Sequence, residues 1–180
     1  MTMRDAVSEP EWCLAEAAVL VCIAASRFGA PLPLSFTMTL VELWRSRNWP
    51  VVHFLPDPAL DQDAPAETAL IQPGSLWFES DTASIWSCAR FREYHRDQGS
   101  PPLVLIGGDL DRSMIAVAAG AAERRTPAVF LPDTAGVTLK STRDRVSRER
   151  AISCVRHFAV EASLHVLMTQ LVSTRRTLRR

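Results

Sequence analysis

Residues 103–136, LVLIGGDLDRSMIAVAAGAAERRTPAVFLPDTAG, decide the fold, because they predict two strands joined by a tight turn and a helix. The first apolar run ends in two glycines, and an Ala-rich helix begins just after Asp109 and Asp111, either of which can cap its free backbone N–H groups. Ser113 then lies in the first helical turn. Unpaired backbone donors and the positive end of the helix dipole suit a nucleophile or an anionic ligand at that position.

The composition predicts a single globular domain over residues 1–180. Hydrophobic residues make up 47% of the chain, enough to bury a sizeable core. The longest apolar runs are too short to span a bilayer and no basic region of a secretory signal precedes them, which predicts a cytoplasmic protein without membrane contact. The cysteines have no paired spacing, which indicates reduced thiols rather than a disulfide framework or a zinc site: Cys13, Cys22, Cys88 and Cys154.

The net charge of zero hides a basic segment. Residues 140–180 hold 10 of the 20 Lys and Arg residues but only 3 of the 20 acids. Those acids are interleaved with the basic residues and few aromatics accompany them, which favours a solvated helix face over a nucleic-acid surface. Residues 171–180 carry four arginines and few apolar anchors, so we expect a flexible basic tail that contributes little to folding.

Short apolar runs alternate with helical periodicity along the chain. Strands are predicted over 18–23, 51–55, 103–106 and 128–131, with a weaker strand over 69–72. Helices are predicted over 37–47, 82–96 and 145–169, with Met38, Val41, Leu43 and Trp44 facing inward in the first. This alternation predicts an α/β three-layer sandwich, in which the four main strands are neighbours in a central, mostly parallel sheet covered by helices on both faces.

Sites in such folds form beyond the carboxyl ends of the strands. Those ends predict an aromatic pocket with few ionisable groups, lined by Phe28, Phe54, Trp77 and Phe78. His53 ends the second strand at this edge of the sheet. The turn that contains Gly108, Asp109 and Asp111 is expected to border the same pocket and to offer backbone N–H donors to a ligand.

Three segments carry a family resemblance: AVLVCIAASRF (18–28), QPGSLWF (72–78) and GGDLDRSM (107–114). In order and spacing they resemble the D-x-Q-x-x-F strand end, the Lys-Pro segment followed by S-x-F-F, and the G-V-x-T-D-x-C-V turn of the isochorismatase-like hydrolases, which include nicotinamidases and related cysteine amidohydrolases. The resemblance covers almost the whole chain from about Ala18 onward. It implies an isochorismatase-like, Rossmann-like fold.

The same resemblance places non-catalytic residues at the catalytic positions. The general base Asp, the Lys and the nucleophilic Cys of the family correspond to Ile23, Gln72 and Ser113. Ile accepts no proton, Gln carries no charge, and Ser without a neighbouring base is a weak nucleophile. We therefore expect a catalytically degenerate family member that binds a small ligand or a partner through the former active-site pocket.

The alternative is an active hydrolase of amide or ester bonds with a rebuilt site. Ser113, His53 and one of Asp109 and Asp111 could form a Ser–His–Asp arrangement. The simpler interpretation is that Ser113 fills the space of the lost Cys, that Asp111 is a cap, and that His53 packs beside Phe54.

Cofactors and partners follow from the same residues. His53 is followed only by acids in a Pro-rich loop, and the two glycines before Asp109 precede no Lys-Ser/Thr pair, so we predict no metal and no phosphate-bound cofactor. The family resemblance, with Trp and Leu residues in surplus of one small core, predicts a homodimer or a higher homo-oligomer. Nucleic acid is not an expected partner.

Overall fold

A six-stranded parallel sheet forms the centre of the protein. The structure, a computed structural model, describes residues 18–24, 34–56, 75–136 and 144–177. The strands are Val19–Ile23 (β1), Val51–Pro56 (β2), Leu76–Ser80 (β3), Leu103–Gly107 (β4), Ala128–Phe130 (β5) and Val160–Glu161 (β6). The helices are Leu34–Arg45 (α1), Ala89–Asp97 (α2), Ile115–Glu123 (α3), Asp144–Val155 (α4) and Leu164–Thr177 (α5).

The order of the strands is β3-β2-β1-β4-β5-β6, and every neighbouring pair is parallel. The four main predicted strands are therefore confirmed as neighbours. β1 and β4 are buried at every residue, as continuous apolar strands covered on both faces must be. The weaker strand predicted over 69–72 lies outside the described residues, and the strand that pairs with β2 on the side away from β1 is β3.

The helices cover the sheet in two layers. Val19, Val21 and Ile23 face a core built with α2, α3 and α4. Leu20 and Cys22, which alternate with them along β1, face a second core built with α1 and α5. The predicted three-layer α/β sandwich is confirmed. No helix in the described part of the chain is long and apolar enough to cross a membrane.

The inward face of α1 differs from the prediction. Val41 and Trp44 are buried, and the Trp44 indole donates a 2.8 Å hydrogen bond to the Ala18 carbonyl. Met38, however, is 43% exposed, so its predicted place in the core is wrong. The buried stripe runs through Thr37, Leu40, Val41 and Trp44, the spacing of one helix face, and Met38 lies outside that stripe.

Two predicted helices are wrong in extent. The helix over 82–96 is a short 3-10 turn, Ile85–Ser87, followed by α2. The helix over 145–169 is divided into α4, β6 and α5. The interruption comes from sheet pairing, because Val160 and Glu161 pair with β5 and the Ala162 amide donates to the Phe130 carbonyl.

The last helix bears on the expectation for residues 171–180. α5 continues to Thr177, and the Leu171 side chain is only 1% exposed in the core beneath α1 and α5. The Arg47 guanidinium donates to the Leu171 carbonyl. Leu171 therefore belongs to the core, and the contribution of residues 171–180 to folding stays a prediction.

Candidate functional site

The turn after β4 carries the candidate site. Gly107 and Gly108 have φ values of 77° and 68°, in the left-handed region that favours glycine. They turn the chain into a single π-helical turn, Leu110–Met114, which continues into α3. Ser113 thus lies in the first helical turn, as predicted. The turn is fixed to the end of the next crossover, because Gly136 donates to the Gly108 carbonyl at 2.9 Å.

Ile23 and Ser113 meet at Gly108. A Cβ atom on Gly108 would lie 2.7 Å from Ile23 Cγ2 and 2.7 Å from Ser113 Oγ, so no larger residue fits there without displacing both. Both side chains are buried, at 2% and 1% exposure. Two of the three positions that the resemblance assigned to catalysis are therefore adjacent in space. Gln72, the third, lies outside the described residues.

The hydroxyl of Ser113 is bonded within its own turn. Its Oγ accepts a 3.0 Å hydrogen bond from the Asp109 amide and donates a long one, 3.5 Å, to the Asp109 carbonyl. Asp109 occupies the N-cap position, but its side chain makes no capping hydrogen bond, and Asp111 lies exposed inside the turn. The prediction is therefore wrong for Asp109, which does not cap this turn; the Ser113 hydroxyl instead accepts a hydrogen bond from the amide of this N-cap residue.

The backbone donors of the turn are also less available than predicted. The Asp109 amide is bonded to Ser113, and the Leu110 amide donates to the Gly136 carbonyl at 2.9 Å. A ligand therefore cannot use these two N–H groups without displacing an existing bond. The expectation of free backbone donors is wrong for both residues.

Thr134, in the short 3-10 turn after β5, and Arg148, on α4, support the site. The Thr134 hydroxyl, fully buried, accepts a 3.1 Å hydrogen bond from the Gly107 amide and donates to the Leu131 carbonyl at 2.7 Å. Arg148 of α4 donates to the carbonyls of Ala135 and Pro132 on either side of Thr134. Sequence reasoning missed both residues, because a Thr in a turn and an Arg in a basic helix carry no local signal of such contacts.

His53 lies on the other side of the sheet. It is paired in register with Cys22, which faces α1, whereas Ile23 faces α2, α3 and α4. Burial, and to a smaller extent the Arg45 charge, lowers the pKa of His53 from 6.5 to about 4, so the ring is neutral at pH 7. The structure thus does not bring His53 to Ser113, and the Ser–His–Asp arrangement is not formed.

The predicted aromatic pocket is also not formed by the residues that the structure describes. Phe54 and Phe78 are buried in the core, where the Phe78 ring lies 5.4 Å from that of Phe91. Trp77, one residue before Phe78 on β3, faces the opposite side of the sheet and is 48% exposed. These side chains cannot line one pocket, and Phe28 lies outside the described residues.

Cys22 comes directly before Ile23 on β1 and is buried. Burial raises its pKa to about 12, with a smaller opposing effect of the Arg45 charge, so it is a neutral thiol and a poor nucleophile at pH 7. His53, beside it in the register, is neutral as well. In residues 18–24, 34–56, 75–136 and 144–177, no three His, Cys, Asp or Glu side chains are grouped as a metal site would require.

Comparison with known proteins identifies the fold. No family model matches the sequence, and no curated protein is similar to it in sequence. Among solved structures, it is similar to a protein of the isochorismatase family from Chromobacterium violaceum, with 14% identity, a TM-score of 0.71, and coverage of 88% of this chain and 96% of that one.

Two further structures share the architecture. N-carbamoylsarcosine amidase from Thermoplasma acidophilum is 17% identical, with a TM-score of 0.62 and coverage of 82% of this chain and 96% of that one. The MAR1 ribonuclease of Caenorhabditis elegans is 13% identical, with a TM-score of 0.69 and coverage of 87% and 82%. The order of the strands, the glycine turn after β4 and these similarities together show that the chain has the isochorismatase-like hydrolase fold.

Proposed function

We propose that the chain is a member of the isochorismatase-like hydrolases that has lost catalysis and that binds a small ligand or a partner through the former active-site face. The position of Ile23 and Ser113, which both border the same point beside Gly108, carries this proposal. Where the family has a carboxylate beside a thiolate, this chain has an apolar side chain beside a hydroxyl that is already hydrogen-bonded.

The chemistry of this pair argues against turnover. A serine nucleophile needs a base within hydrogen-bond reach, and the hydrogen bonds of the Ser113 hydroxyl go to backbone atoms of Asp109. His53, which could act as a base, is on the opposite face of the sheet. Ile23 has no atom that can accept a proton.

The same substitution indicates the kind of ligand. An Ile in place of a carboxylate makes this point of the site apolar and uncharged. Burying a cation or an unpaired amide of a ligand against Ile23 would cost free energy, because these groups lose their hydrogen bonds to water. An apolar group of a ligand has no such hydrogen bonds to lose. We therefore propose a ligand that presents an uncharged, apolar group to Ile23.

The second candidate is a hydrolase that uses Ser113. Asp109 favours it, because its side chain is 1% exposed and belongs to the residue to which the Ser113 hydroxyl is bonded. Activation of Ser113 would then need a rearrangement that brings the Asp109 carboxylate to its hydroxyl. This candidate predicts turnover that both Ser113→Ala and Asp109→Asn abolish.

A ligand screen run beside a turnover assay separates the two candidates. Small apolar compounds, aromatic acids and amides are screened for thermal stabilisation, and nicotinamide, isochorismate, N-carbamoylsarcosine and RNA are tested for conversion. We expect stabilisation by an uncharged apolar compound without turnover, and loss of that stabilisation in Ile23→Asp. Turnover that disappears in Ser113→Ala would overturn the proposal in favour of the hydrolase.

A further inference from the structure

The outer edge of β3 is less protected against pairing with another strand than the opposite edge of the sheet, β6. Within the described part of the chain, β3 and β6 are the edge strands. β6 has only two residues, and Arg156 forms a 2.5 Å ion pair with its Glu161, so it offers little backbone for another strand. β3 has five residues, LWFES, with neither Lys nor Pro. Soluble proteins commonly protect a sheet edge by keeping the edge strand short or by placing charged residues or proline in it. β3 is not short and contains no proline.

Apolar side chains on both faces of β3 are open to solvent. Leu76 is 45% exposed and Trp77 is 48% exposed, although both belong to a strand of the central sheet. Successive residues of a strand point to opposite faces, so a ligand lying on one face would cover only one of them. A strand placed beside β3 would cover both and would also pair with its outward backbone groups, which no other strand of the described residues binds.

The charges beside β3 fit a second copy of the chain. At the start of β3, the half-buried Arg45 donates a 2.8 Å hydrogen bond from Nη2 to Ser75 Oγ. At its end, Glu79 is exposed. Ser75, Trp77 and Glu79 alternate along one face of the strand, the face on which α1 lies. The start of β3 therefore has a positive charge beside it, from Arg45, and its end has a negative charge, from Glu79. In an antiparallel pair of two β3 strands, these opposite charges face each other.

We propose that β3 pairs with β3 of a second copy of the chain, antiparallel, about a two-fold axis at Trp77. In that register Ser75 lies opposite Glu79 of the second copy. The Glu79 carboxylate of each copy then lies near Arg45 of the other, so two equivalent ion pairs form across the axis. The two Trp77 rings meet at the axis, a cross-strand aromatic contact. The central sheet becomes continuous across both copies, and the interface is isologous, as two-fold dimers require.

This surface is separate from the proposed ligand site, since Ile23 lies in the interior strand β1, two strands away from β3. The dimer therefore stands or falls independently of the proposed function. The proposal also specifies an interface for the homo-oligomer that the sequence predicts.

Charge reversal across the proposed axis tests the register. In the dimer, Glu79→Arg places two pairs of arginines in contact, so we expect its dimer dissociation constant to rise about tenfold or more. Arg45→Glu alone should weaken the dimer in the same way. The double variant Arg45→Glu/Glu79→Arg restores opposite charges and should recover most of the affinity. Phe158→Glu, which changes another exposed aromatic residue near β6, is the matched control and should leave the dimer unchanged.

Sedimentation velocity and light scattering over a wide concentration range measure the outcome. Circular dichroism and melting temperature show that each variant is folded, and Glu79→Arg, at an exposed position, tests the proposal even if Arg45→Glu fails to fold. A wild-type mass of 20.0 kDa, that of a monomer, at every concentration would overturn the proposal. The partner of the β3 edge would then be a strand of another protein. A dimer that Glu79→Arg does not weaken would also overturn it.

Discussion

Gly120→Ala is expected to destabilise the protein, although Gly to Ala in a helix is ordinarily stabilising. Gly120 lies in α3, and a Cβ atom there would come within 2.3 Å of Trp86 Cδ1 and 2.9 Å of Trp86 Cγ. The Trp86 ring cannot move aside freely. It is buried, its Nε1 donates a 2.9 Å hydrogen bond to the Val117 carbonyl, and it contacts the Phe91 ring at 5.1 Å.

The magnitude follows from three opposing effects. Replacing a helical Gly by Ala contributes about 0.5–1 kcal/mol of stability. Overpacking of a buried ring costs about 1–3 kcal/mol. Strain or loss of the Trp86 hydrogen bond costs about 0.5–1.5 kcal/mol more. We therefore expect a net loss of about 0.5–4 kcal/mol, and a fall in melting temperature of about 2–4 °C for each kcal/mol lost in a chain of this size.

Urea denaturation of a double-mutant cycle checks the cause. Gly120→Ala is compared with wild type and, in parallel, Trp86→Leu/Gly120→Ala is compared with Trp86→Leu. Without the indole, the same substitution should be neutral or stabilising by up to about 1 kcal/mol, and the difference between the two comparisons is the coupling energy. A Gly120→Ala protein as stable as wild type would refute the reasoning, because the close contact with Trp86 would then carry no cost.

Three further predictions concern stability. Arg148→Ala leaves two carbonyls without their donor and should cost about 1–3 kcal/mol in urea denaturation, whereas Arg150→Ala, at an exposed position of the same helix, should stay within about 0.5 kcal/mol. His53, with a folded pKa of about 4 against 6.5 when unfolded, takes up its proton more readily in the unfolded chain; stability should therefore fall as the pH drops from 6.5 to 4, and His53→Gln should flatten that part of the curve. Leu171→Ala should cost about 2–5 kcal/mol by calorimetry, against a small change for the exposed Val166→Ala, and equal effects would contradict the docking of α5.

The central strands could be predicted from the sequence because their signal is local. β1 and β4 are short, continuous apolar runs, and such runs favour strands buried on both faces. β6 could not be predicted, since its two residues are in a strand only because they pair with β5. Without that pairing, the surrounding sequence reads as one long helix.

The site was predictable in position and not in detail. The order of segments placed Ile23 and Ser113 at neighbouring strand ends, and they do meet at Gly108. The prediction of an aromatic pocket is wrong because it places Trp77 and Phe78 in the lining of one pocket, although these neighbouring residues of β3 point to opposite faces of the sheet. The role of Thr134 depends on a contact with a distant segment, which no local pattern shows.

The assignment of Ile23, Gln72 and Ser113 to a former catalytic set is the central claim, and thiol reactivity tests it most directly. Ser113→Cys is made alone and together with Ile23→Asp and Gln72→Lys, and the pKa of the introduced thiol is measured from the pH dependence of its alkylation, followed residue by residue by mass spectrometry. Buried Cys22, with a pKa of about 12, should stay unreactive at neutral pH. We predict a lower pKa and faster alkylation in the triple variant than in Ser113→Cys alone, because the restored lysine would stabilise the thiolate and the restored carboxylate would take its proton. A thiol with the same pKa and the same slow alkylation in both variants would contradict the assignment.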